Sequence, residues 1–82
     1  MVVVHREAGM RFVIFKDDHE PAHVHVYHGG AEVKIALGID GSPHKEIRGY
    51  RMRSTDIRKA LRVVTALQAT LLERWEEIHG RG

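Results

Sequence analysis

The chain has 82 residues, of which 43% are hydrophobic, so it is long enough for one packed core and too short for two. It contains no cysteine, which excludes disulfide scaffolds, cysteine-ligated zinc and thiol nucleophiles. The formal net charge is +2. The charge is unevenly placed, because residues 45–62 carry seven basic side chains against two acidic ones.

The apolar segments of the chain are short. No run reaches the length of a membrane span, and the N-terminal residues lack the apolar region of a signal peptide. We therefore expect a cytoplasmic protein with no membrane contact. A core of this size is usually marginally stable, which favours a protein partner or a homodimer.

Three stretches in the first half of the chain predict strands. Residues 11–16 form an apolar, aromatic and β-branched run, whereas 23–28 and 31–37 alternate polar and apolar residues. Gly29 and Gly30 between the last two predict a two-residue hairpin turn.

This turn fixes the register of the hairpin. His25 pairs with Lys34 and Val26 with Val33, and every pair then agrees in character. One face of the hairpin is apolar and comprises Val24, Val26, Val33 and Ile35. The other face carries His23, His25, Tyr27, Glu32 and Lys34.

The second half of the chain predicts a helix. After a loop over 38–43 and a short fourth strand at about 45–49, apolar residues recur every three or four positions over about 55–79. Ser54 or Thr55 could cap this helix, and Gly80 marks its end. We expect an α+β domain: a three- or four-stranded antiparallel meander with one long C-terminal helix packed on its apolar face.

Histidines are concentrated near the first predicted loop, since four of the seven lie within residues 17–30. A His-x-His pair on a strand places two imidazoles on one face, where a divalent metal such as zinc could bind. The metal-binding alternative uses His19, His23 and His25, and the neighbouring acids Asp17, Asp18 and Glu20 could add oxygen ligands. Lys34 beside His25 opposes a cation, so our leading expectation has no cofactor.

Acid–base catalysis is a second interpretation of the same face. A metal-independent ribonuclease would use His23 and His25 as acid and base and Lys34 to stabilise the charged transition state. A third interpretation is structural, because half-exposed strands tolerate histidine and tyrosine. The sequence leaves open whether the protein is an enzyme.

The basic segment predicts contact with an anion or a nucleic acid. Its candidate residues are Arg48, Arg51, Arg53, Arg58, Lys59 and Arg62. Arg58 and Lys59 lie near the start of the predicted helix, where the helix dipole disfavours cations and an anionic partner would offset the cost. The alternative is an ordinary solvated helix surface.

The chain also resembles a known family. GMRFVIFKDDHEPAHVHV (residues 9–26) resembles the opening of a family of small bacterial proteins of unknown function, marked by an acid-His-x-Pro-Pro-His-x-His signature. Family members end in a long helix near an E-x-W motif, here LLERWEEIH, and Ala22 stands where the second proline is expected. The resemblance implies that the histidine–proline positions act as one unit and that the protein is a regulatory or interaction module of a toxin–antitoxin-like gene pair.

Overall fold

The computed structural model describes residues 1–38 and 45–80, with only the backbone for 45–47. It is an α+β domain in which a five-stranded antiparallel sheet carries two helices. The elements are β1 (Val2–Glu7), β2 (Met10–Ile14), β3 (His23–His28), β4 (Ala31–Ala36), β5 (Lys45–Tyr50), α1 (Ser54–Ala66) and α2 (Gln68–His79). The strand order follows the chain, as predicted. The loop expected over 38–43 lies outside the described residues apart from Gly38.

The hairpin of β3 and β4 has the predicted register. All six pairs agree, from His23 opposite Ala36 to His28 opposite Ala31. The apolar face of this hairpin is completely buried, with no exposure at Val24, Val26, Val33 or Ile35. Since Phe12 and Ile14 of β2 join the same cluster, the core lies between this face of the sheet and the helices.

The sheet has five strands, whereas the sequence predicts three or four, because β1 precedes the predicted strands. The first residues, VVVHRE, pair with β2 through a turn at Ala8 and Gly9, both of which have positive φ. β1 is an edge strand with a short apolar part and a register irregularity between Val3 and His5. Its pattern is therefore too brief to predict a strand.

The prediction of one long helix is also wrong in detail, because a break at Leu67 divides this segment into α1 and α2. Leu67 has φ −110° and ψ 14°, yet its N–H still donates to the Val63 carbonyl and its own carbonyl accepts from Leu71. The apolar stripe therefore continues across the break, and the periodicity cannot reveal it. Gly80 ends α2 as predicted.

The start of α1 differs from the expectation as well. Arg53 occupies the N-cap position and no side chain caps the helix, so neither Ser54 nor Thr55 has the predicted role. Within residues 1–38 and 45–80, neither α1 nor α2 has the length and hydrophobicity of a membrane-spanning segment.

Candidate functional site

A tight turn after β2 positions the first residue of the site. The Phe15 N–H donates to Asp18 Oδ2 at 3.0 Å, and the Asp18 N–H donates to the Phe15 carbonyl at 3.1 Å. These two bonds hold the Asp18 carboxylate over the start of β3, where its side chain is 14% exposed. Aspartate has a short polar side chain that bonds readily to nearby backbone groups, which suits this local bonding.

His23, the first residue of β3, is buried with 3% exposure. Its Nδ1 lies 2.8 Å from the Pro21 carbonyl oxygen. Because a carbonyl only accepts, Nδ1 carries the proton, and in the neutral ring Nε2 then has a free lone pair. Nε2 lies 3.4 Å from Asp18 Oδ2 but makes no hydrogen bond. A buried nitrogen without a partner is costly and requires an explanation.

His25 shares the same carboxylate from two residues further along β3. Its Nε2 lies 3.4 Å from both oxygens of Asp18, and its Nδ1 lies 3.2 Å from Glu32 Oε2. The Phe15 ring packs against the imidazole at a centroid distance of 4.8 Å. Both histidines thus direct Nε2 towards Asp18 and have Nδ1 held by an oxygen.

Asp18, His23 and His25 form a group of side chains that could hold a metal ion. One ligand atom from each residue lies within 4.8 Å of the other two. Ligands at about 2.0–2.1 Å from a tetrahedral zinc are about 3.3–3.4 Å apart, which is the separation between Asp18 and each histidine. Ligand histidines normally donate their other ring N–H to a carbonyl or a carboxylate, as His23 and His25 do here.

The electrostatics of the group keep Asp18 ionised. Burial by itself would raise the pKa of Asp18. The hydrogen bond from the Phe15 N–H, and the positive charge of His23 and His25 when their rings are protonated, outweigh burial, so the pKa of Asp18 lies below its ordinary value. An ionised carboxylate is the form that binds a metal.

Comparison with known proteins identifies the family. The family model described as "Domain of unknown function (DUF4160)" matches residues 9–76. The chain belongs to this family. No curated protein and no solved structure matches it. The resemblance to a small family of unknown function is therefore confirmed, whereas the acid-histidine signature and the toxin–antitoxin-like setting stay predictions.

In this DUF4160 domain, the predicted ligand His19 lies outside the group of Asp18, His23 and His25. His19 is exposed, and within the part of the chain that the structure describes the third member is its neighbour Asp18. Lys34, predicted to stabilise charge in a nuclease, lies directly opposite His25 on β4. It borders a groove on this face of the sheet rather than the Asp18 group.

Two residues of α2 complete the surroundings of His23, and no pattern in the sequence indicates their role in the site. The ring of Trp75 lies 5.2 Å from that of His23 and stacks on His79 at 3.9 Å. The indole N–H donates to Glu20 Oε1 at 3.2 Å. Trp75 belongs to the apolar stripe of the helix, so the sequence predicts a core residue and not a neighbour of the histidines.

The six basic residues of the DUF4160 domain do not form one surface. Arg48 lies on the face of the sheet that carries His25 and Lys34, away from the helices. Arg51 and Arg53 border a separate depression beside His28. The remaining three, Arg58, Lys59 and Arg62, are exposed along α1, which packs on the opposite face of the sheet. The basic residues over 48–62 are therefore divided between two sides of the molecule.

Proposed function

We propose that the domain binds a divalent transition metal of the zinc type through Asp18, His23 and His25. The observation that carries the proposal is the buried Nε2 of His23, which has no hydrogen-bond partner although its Nδ1 is bonded to the Pro21 carbonyl. A metal would use this lone pair and remove the cost of burying it.

The ligand types select the metal. Imidazole nitrogen suits zinc, copper, nickel and iron, whereas magnesium and calcium prefer sites made of oxygens alone. Two histidines and one carboxylate leave at least one coordination position for water or another ligand, which is the pattern of zinc sites with chemical roles. The Pro21 carbonyl and the Glu32 carboxylate support the two imidazoles from behind.

A zinc titration followed by fluorescence tests the proposal. Trp75 is the only tryptophan and its ring lies beside His23, so its emission should change until one equivalent of zinc is bound. Asp18→Asn should weaken binding at least tenfold, because it removes the charged ligand. His19→Ala is the matched control, since His19 is adjacent, exposed and outside the group.

The outcomes of this titration can distinguish the two ligand sets or reject metal binding. Loss of binding in His19→Ala with normal binding in Asp18→Asn would favour the set His19, His23 and His25. An unchanged emission spectrum and no zinc uptake by the wild type would end the proposal. The group would then be a hydrogen-bonded support for the loop before β3.

The hypothesis of a ribonuclease that uses His23, His25 and Lys34 has less support than the metal-binding proposal. An acid or base must come within hydrogen-bonding distance of the substrate, and His23 is 3% exposed. The toxin–antitoxin-like partnership stays a prediction from the family resemblance, and the protein partner or homodimer stays a prediction from the small size of the core.

A further inference from the structure

A groove lies beside the metal-ligand group on the face of the sheet that the helices leave open. It has a volume of about 380 Å³ and is lined by His25, Glu32, Lys34, Arg48, Gly49 and Tyr50. This volume falls within the usual range for small-molecule sites. Every group that lines the groove belongs to the chain, so a ligand bound there would not depend on the proposed metal.

Two cations that line the groove have no described ion-pair partner. Lys34 and Arg48 are directly opposite each other on β4 and β5, so their side chains share one face. Among the side chains that the structure describes, neither forms a salt bridge. Two like charges placed side by side repel each other, and an anion between them would relieve the repulsion.

An exposed aromatic ring lies next to this cationic pair. Tyr50 is 59% exposed, which is unusual for a large side chain on a strand in this domain. It follows Arg48 by two residues on β5, so both side chains point to the same face with their Cα atoms about 7 Å apart. A ring in this position can stack on a planar base, a contact that single-stranded nucleic acids commonly make.

Glu32 lies directly across from the aromatic ring and on the same face of the sheet as the two cations. It is opposite Tyr50 on one side and Tyr27 on the other, and 37% of its side chain is exposed. The Tyr27 hydroxyl donates a hydrogen bond to Glu32. An acidic side chain in such a place accepts hydrogen bonds from ribose hydroxyls, as in dinucleotide-binding folds.

We propose that this groove binds a nucleoside phosphate. The phosphate lies between Lys34 and Arg48, the ribose hydroxyls face Glu32, and the base stacks on Tyr50. The same chemistry could come from a free mononucleotide or from one nucleotide of a single-stranded RNA.

Amide NMR titration with adenosine 5′-monophosphate tests the proposal on the metal-free protein. Shifts are expected in residues 32–34 and 48–50. Tyr50→Ala should weaken the binding of the nucleotide about tenfold and leave inorganic phosphate binding unchanged, because only the base stacks on the ring. The double variant Lys34→Gln with Arg48→Gln should weaken both ligands at least tenfold.

Arg62→Gln is the matched control, since it removes one positive charge from α1 on the other side of the domain. All variants are first compared by their amide spectra, so that loss of fold is not taken for loss of binding. Absence of shifts in the groove, or equal affinity of the double variant and the wild type, would overturn the proposal. Shifts confined to residues 58–62 would also overturn the proposal.

A six-nucleotide RNA used in parallel identifies the source of the ligand. If the RNA binds at the groove more tightly than the mononucleotide and weakens steeply with salt, the ligand is a strand. If both bind alike, it is a free nucleotide. Either result supports the groove, and neither depends on whether zinc binds.

Discussion

Zinc should raise the melting temperature of the domain, because the three ligands meet only in the folded chain. Asp18 is brought to β3 by its turn with Phe15, and the unfolded chain lacks this arrangement. A ligand that binds only the folded state adds about 2.7 kcal/mol at a free concentration 100 times its Kd. In a domain of this size, 1 kcal/mol shifts the melting temperature by roughly 4–8 °C. We therefore expect a rise of roughly 10–20 °C.

The variant Asp18→Asn should lose most of this rise. Its amide oxygen can still accept the Phe15 N–H, so the turn is retained while the charged ligand is lost. If affinity falls about 100-fold, the same zinc concentration adds only about 0.4 kcal/mol, or roughly 2–3 °C. His19→Ala should keep the full rise. Circular dichroism melts with zinc and with a chelator measure these shifts, and equal rises in the wild type and Asp18→Asn would refute the argument.

Three further predictions concern the support of the site and the core. Glu32→Gln should weaken zinc binding about 10- to 100-fold by calorimetry, because glutamine is a weaker acceptor for His25 Nδ1–H; an unchanged Kd would contradict this support. The pKa of Asp18 is lowered in the folded state, so the unfolded chain takes up the proton first. The stability that Asp18 adds is present above about pH 4 and is lost as pH falls through the folded value. Between pH 6 and pH 3, urea unfolding should therefore show a smaller loss for Asp18→Asn than for the wild type, and equal losses would contradict the lowered pKa. Phe12→Ala should cost about 3–5 kcal/mol in urea unfolding, since Phe12 has no exposure, and a cost under about 1 kcal/mol would place β2 outside the core.

The hairpin could be predicted from sequence because its determinants are local. A glycine pair fixes the turn, and a one-residue slip would move every valine of β3 from the core to the other face. The apolar stripe from Ala60 to Trp75 is equally explicit, because its period persists over about four turns of helix. Both signals lie within one or two adjacent elements of the chain.

The choice of Asp18 over His19 could not be predicted in the same way. Both residues lie in one polar loop, and which of them faces β3 depends on the backbone bond between Asp18 and Phe15. The proximity of Trp75 to His23 spans 52 positions of sequence and depends on how α2 lies across the sheet. The pattern of strands and helices does not fix contacts of this kind, and the site depends on them.

His25 links the two proposed sites, since its Nε2 faces Asp18 and its ring borders the groove beside Glu32. A bound zinc ion would add two positive charges beside a groove that takes an anion, so zinc should increase the affinity for adenosine 5′-monophosphate. Linkage requires that the nucleotide increase zinc affinity by the same factor. Calorimetric titration of each ligand in the absence and presence of the other measures both factors. Equal factors above one would show that the sites are coupled through this face. A factor of one in both directions would show that the imidazole and Glu32 separate two independent sites, and a factor below one would mean that zinc and the nucleotide compete for His25.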